Sequence, residues 1–134
     1  MLQQDYIMRL IQEFAAALQR FLKKKEVEDR SEAIRDLYRQ YLDDYELYHI
    51  STMDEVMQSF TRYAEEQRIY RMEMLADLYY VEADLKSEPS RSQLLERALL
   101  LFSFIDRHSG TLSFERQRKI NDIKKRLNNP NSTQ

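Results

Sequence analysis

The chain has 134 residues with a formal charge of −2, no Cys, one Gly and two Pro. Without Cys there are no disulfides, thiolate nucleophiles or Cys-based zinc sites, and a single Gly rules out a Gly-rich phosphate loop. A β-protein of this length would need turn residues every ~8–12 positions. Helices need only short connections and favour the Leu, Glu, Arg, Gln and Lys that abound here. The composition predicts an all-α fold, an antiparallel bundle of about six helices, with one domain over residues 1–128 and a disordered polar tail over 129–134.

The first helix is predicted from Asp5 to Lys25, where Tyr6, Ile7, Leu10, Ile11, Phe14, Ala17, Leu18, Phe21 and Leu22 recur at helical spacing. Arg9, Gln12 and Glu13 interrupt that apolar run, so it does not read as a signal peptide. No stretch reaches the roughly 18 consecutive apolar residues of a membrane span, and a cytoplasmic location is expected. A second helix is predicted over 31–45, capped by Asp29 or Ser31, with Ile34, Leu37, Tyr38, Tyr41, Leu42 and Tyr45 as its apolar line.

Thr52-Met-Asp-Glu55 is a capping box and opens the next helix. The apolar pattern thins at Ala64-Glu-Glu-Gln67, which divides this region into helices at about 53–64 and 67–86, although no Gly or Pro forbids one helix from Met53 to Lys86. Ser87-Glu-Pro89 ends that run. Ser90-Arg-Ser-Gln93 has the form of a second capping box for a helix ending near His108. Gly110 follows as the left-handed residue past its end. Ser113 caps a last helix to about Leu127, with Phe114, Ile120, Ile123 and Leu127 turned inward.

Met72-x-x-Leu75-Ala76-x-x-Tyr79 resembles the first-helix pattern of a tetratricopeptide repeat, and Ala98-x-x-x-Phe102-x-x-Ile105 is similar to the second. Ile105 stands where that family has a small residue, and the connection between the two helices is longer than the family's. The resemblance covers about residues 70–108, with no second copy following. It implies a closely packed helix pair of the kind that builds protein-binding surfaces. The run Gln4-Asp5-Tyr6-Ile7-Met8-Arg9, with Tyr70 to Leu75 and Asp84, also resembles a bacterial family of small helical proteins of unknown function. That resemblance implies a helical fold and no particular activity.

The candidate chemistry is sparse. Glu46 and His49 stand at i and i+3, the spacing of carboxylate-bridged di-iron bundles. His108, the other histidine, has Ile105 three residues before it, so the second half of such a site is missing. No partnered nucleophile is evident, and no catalytic residue, metal ligand set or cofactor is expected. Arg116, Arg118, Lys119, Lys124, Lys125 and Arg126 make the last helix basic, but they surround its apolar line instead of forming one stripe, so nucleic acid is not the expected partner. Tyr38, Tyr41, Tyr45 and Tyr48 concentrate around the second helix, and Tyr suits partly exposed protein-binding surfaces. The expectation is a non-enzymatic module that binds a protein or peptide through these tyrosines, with pairing of two copies left open. The alternatives are a metal- or small-molecule-binding enzyme using Glu46 and His49, or weak nucleic-acid binding by the last helix.

Overall fold

The computed structural model describes residues 2–24 and 26–128, and every regular element within them is helical. In order these are α1 (Leu2–Leu22), α2 (Val27–Leu42), α3 (Leu47–Ile50), α4 (Met53–Ser59), a 3₁₀ turn (Phe60–Arg62), α5 (Glu65–Ala83), α6 (Ser90–His108) and α7 (Phe114–Asn128). The tail expected to be disordered lies outside the described residues. No helix among them is long and apolar enough to cross a membrane.

Local chemistry sets the boundaries, in places differently from the sequence reading. α2 begins at Val27 and stops at Leu42, because Asp43 takes a left-handed φ of 70° and returns its N–H to Arg39 O. Tyr45 and Glu46 therefore lie beyond α2, in the connection to the short α3. The Thr52–Glu55 capping box forms, with Glu55 N–H donating to Thr52 Oγ1 at 3.2 Å and Thr52 N–H to Glu55 Oε1 at 2.8 Å. The region 53–86 is divided: Tyr63 and Ala64 turn extended (ψ 153° and 144°) with neither Gly nor Pro to force it.

The second capping box does not form. Pro89 occupies the position before α6, and the Glu88 carboxylate instead accepts from Ser92 N–H at 2.8 Å and Ser92 Oγ at 2.6 Å. Gly110 has the expected left-handed φ of 71°, a conformation that costs a residue without Cβ little. Ser113 caps α7 through Arg116 N–H at 3.2 Å. Phe114, expected inside, is 83% exposed: as the first residue of α7 it precedes the turn that packs.

α5 is the central helix. It packs most extensively on α6 and also contacts α1 and α2. Met72, Leu75, Ala76 and Tyr79 of α5 are buried with Ala98, Phe102 and Ile105 of α6. Ala76 and Ala98 are wholly buried, and their small side chains allow close helix approach. A short connection with such contact makes α5 and α6 antiparallel. α7 then runs parallel to α5, as a rising series of polar pairs shows: Glu73–Arg116 (3.1 Å), Asp77–Lys119 (2.6 Å), Tyr80–Asp122 (2.6 Å) and Asp84–Arg126 (2.8 Å). α2 lies antiparallel to α5, with Tyr38 meeting Glu82 and the Tyr41 carbonyl meeting Arg71.

The last carbonyls of α2 turn inward, and arginines satisfy them. Arg62 donates to Leu42 O at 2.6 Å and Arg71 to Tyr41 O, placing cations at the negative end of the helix. Arg97 does the same for α3, donating to Tyr48 O at 3.0 Å and Ser51 O at 2.7 Å.

Candidate functional site

Glu82 is wholly buried near the end of α5, in line with Leu75, Leu78 and Tyr79. Its Oε1 accepts from Tyr38 Oη at 2.6 Å and lies 2.7 Å from His49 Nε2, and its Oε2 accepts from Tyr45 Oη at 2.6 Å. His49 Nδ1 lies 2.6 Å from the Tyr45 carbonyl. Both ring nitrogens thus face oxygen atoms, and neither is turned to solvent or to a free space. The His49 ring stacks on Tyr45, with centroids 3.9 Å apart, and meets Tyr38 edge-on at 5.0 Å.

Burial pushes the Glu82 carboxyl upward, but the His49, Tyr38 and Tyr45 hydrogen bonds outweigh it and hold the group below its ordinary value. Burial, with Glu82 alongside, raises the Tyr38 and Tyr45 phenols well above theirs. The cluster is therefore a carboxylate with three committed donors.

Beside it, between α3 and α6, opens a cleft of about 650 Å³. Tyr45 and His49 form its inner wall, Met53, Leu94 and Leu100 give it apolar surface, and Lys86, Gln93, Glu96 and Arg97 supply polar groups. Leu100 is 45% exposed there. Arg97 is spent on backbone carbonyls, and neither it nor Lys86 pairs with a carboxylate among the described residues.

The tyrosine cluster is brought together, but mostly inward. Tyr38, Tyr41 and Tyr48 are buried, so these three do not offer the exposed rings expected of a binding surface, and only Tyr45 is half-exposed. The reason is partners inside the fold, for two of them through the hydroxyl and for Tyr41 through the ring. Tyr38 finds Glu82, Tyr48 finds the Leu42 carbonyl at 3.1 Å, and the Tyr41 ring meets Phe14 edge-on at 5.2 Å.

Glu46 and His49 are not brought together. The exposed Glu46 carboxylate lies 3.6 Å from Arg39, while His49 turns to Glu82. No group of three or more His, Asp or Glu among the described residues is arranged to hold a metal ion. On α7, Arg116, Lys119 and Arg126 pair with acids of α5 or α6 and Arg118 with Glu115, leaving Lys124 and Lys125 as the exposed cations facing away from the fold.

The sequence reading missed Glu82 and the capping arginines. Glu82 had a signal: a carboxylate four residues after Leu78 and seven after Leu75, on the apolar line of its helix, requires donors inside the fold. The tyrosine-rich segment supplies them.

A second, smaller groove of about 350 Å³ lies between α1, α5 and α7, lined by Ile11, Ala15 and Leu18 against Tyr70, Met74, Asp77 and Glu115. Burial raises Asp77 to about 6, the Lys119 ammonium 2.6 Å away only partly offsetting it.

No protein-family model matches this chain, and neither the curated proteins nor the solved structures include a significant match to it. The two resemblances noted in the sequence gain no support from these comparisons.

Proposed function

We propose that this chain is a non-enzymatic, cytoplasmic helical module that binds a protein segment in the cleft between α3 and α6. The observation that carries this reading is the cleft itself: about 650 Å³, lined by apolar contact points at Tyr45, Met53, Leu94 and Leu100 and by Lys86, which has no carboxylate partner among the described residues. The lining holds two cations, Lys86 and Arg97, and one carboxylate, Glu96, a balance that favours a segment carrying an apolar anchor next to an acidic residue. The network behind the cleft supports binding over catalysis. His49 has both nitrogens engaged, leaving none free to take a proton from a substrate.

We also infer that α5 and α6 form a tetratricopeptide-like hairpin. The buried Ala76 and Ala98, and the parallel placement of α7 against α5, support this reading, since a repeat array continues in that way. The resemblance of the opening residues remains the basis for a bacterial origin.

Panning a random peptide display library against the protein tests the function. Enriched peptides should combine an acidic residue with an apolar one and lose binding at least tenfold on Leu100→Arg or Lys86→Glu, both surface changes. Failure to enrich any peptide, or enrichment indifferent to both substitutions, would count decisively against the cleft as a peptide site.

A further inference from the structure

α1 carries more apolar surface than its own fold covers. Ile7, Phe14, Ala17 and Phe21 are buried against the rest of the chain. About a quarter-turn around the helix runs a second line, Met8, Ile11, Ala15, Leu18 and Leu22. Met8 and Leu22 are 48% and 50% exposed, Ala15 is exposed, and Ile11 and Leu18 are half-buried. The spacing of three, four, three, four is that of a coiled-coil seam. The middle of this line, Ile11, Ala15 and Leu18, is one wall of the α1–α5–α7 groove, where Tyr70, 40% exposed, extends the apolar surface over the buried Met74.

We propose that this seam is a homodimer interface in which two copies of α1 pair antiparallel across a two-fold axis at Ala15. The seam is close to symmetric about that residue: Met8 and Leu22 stand seven positions to either side, Ile11 four positions before it and Leu18 three after it. Antiparallel pairing seats Met8 on the partner's Leu22 and Ile11 on the partner's Leu18. The small Ala15 meets its own copy where the helices come closest, as an isologous contact requires.

The flanking residues select the direction. Along one edge of the seam run Asp5, Gln12, Gln19 and Lys23. Antiparallel pairing brings Asp5 to the Lys23 end of the partner and Gln12 opposite the partner's Gln19. Parallel pairing would place Asp5 on Asp5 and Lys23 on Lys23. This interface is separate from the α3–α6 cleft and does not depend on what that cleft binds.

Sedimentation velocity on the intact chain should show the mass of two copies, with a Kd of about 10 µM or tighter. Ala15→Glu should weaken pairing about a hundredfold while leaving the circular dichroism and melting temperature of the monomer unchanged, since Ala15 is exposed. Because the chain has no Cys, Ala15→Cys introduces a single thiol. Oxidation should link it rapidly to its own copy. Gln12→Cys should link to itself slowly but quickly to Gln19→Cys in a mixture. A protein that stays monomeric at about 100 µM, or a Gln12→Cys variant that self-links as fast as Ala15→Cys, overturns the proposal. So does a monomer that accepts a foreign amphipathic helix on this seam, a result that would leave the cleft reading intact.

Discussion

α5 holds a wholly buried carboxylate, Glu82, and a partly buried one, Asp77, five residues apart on roughly opposite sides of the helix, and the fold treats them oppositely. Glu82 is wholly buried and has three donors, at 2.6, 2.6 and 2.7 Å. Asp77 has an 18% exposed side chain, one donor, Lys119 at 2.6 Å, and two further carboxylates, Glu73 and Glu115, nearby. Burial pushes both groups upward, yet Glu82 ends below its ordinary value and Asp77 rises to about 6. The lesson is that depth alone does not decide the charge state of a carboxylate. The donors committed to the group and the like charges beside it decide together with depth.

The difference has consequences of opposite sign for stability. Glu82, being depressed, contributes stability above the ordinary carboxylate range and loses it as the pH falls through its folded value. Asp77, being raised, contributes stability that is fully present below its ordinary 3.8 and lost as the pH climbs through about 6.

The largest expected effect comes from emptying the Glu82 site. Glu82→Ala should cost about 3–5 kcal/mol in urea denaturation at pH 7, because it strands the His49 ring nitrogen and two phenols around a cavity. A loss under about 1 kcal/mol would show that the donors find solvent and that their number is not what sets Glu82 apart. Next is the pH profile of Asp77. Between about pH 4 and pH 7 this one residue should remove about 2–3 kcal/mol of stability, and the wild-type curve minus that of Asp77→Asn should show it. A flat difference curve would place Asp77 in the same class as Glu82.

The donors of Glu82 can be removed singly. Tyr38→Phe should cost about 1.5–2 kcal/mol, for a wholly buried hydrogen bond to a charged group, and Tyr45→Phe about 1 kcal/mol, since water reaches the half-exposed position. Equal costs at the two sites would mean that solvent does not screen Tyr45.

Much of this fold was legible in the sequence, and the reason lies in which residues carry local signals. Helical periodicity marked α1, α2, α5, α6 and α7, while Thr52 with Glu55, Gly110 and Ser113 announced their own caps, all of which formed. The end of α2 was not legible, because Asp43 in a left-handed conformation is stabilised by contacts from afar: its carboxylate accepts from Tyr63 Oη at 2.6 Å. Likewise Ser90-Arg-Ser-Gln93 has the letters of a capping box, but Glu88 reaches Ser92 first. The tyrosines were legible as a cluster and misread as a surface. Tyr38 and Tyr45 turn to Glu82, 44 and 37 residues further on, and no local pattern connects them. The partners of the basic residues of α7 were likewise not legible, being acids distant in sequence.

Asp84 supplies the limiting case for the comparison along α5. Its carboxylate accepts from Arg126 at 2.8 Å, as short a contact as many in the interior, but its side chain is 64% exposed. With water able to replace the partner, good geometry alone should be worth little: Arg126→Ala should cost no more than about 0.5–1 kcal/mol, part of it lost packing of the arginine stem. The ionic part should vanish at about 1 M salt. If Arg126→Ala instead costs as much as Tyr38→Phe and resists salt, donor geometry outranks burial throughout this helix. Asp77 would then have to owe its raised value to Glu73 and Glu115 more than to the desolvation that leads its causes.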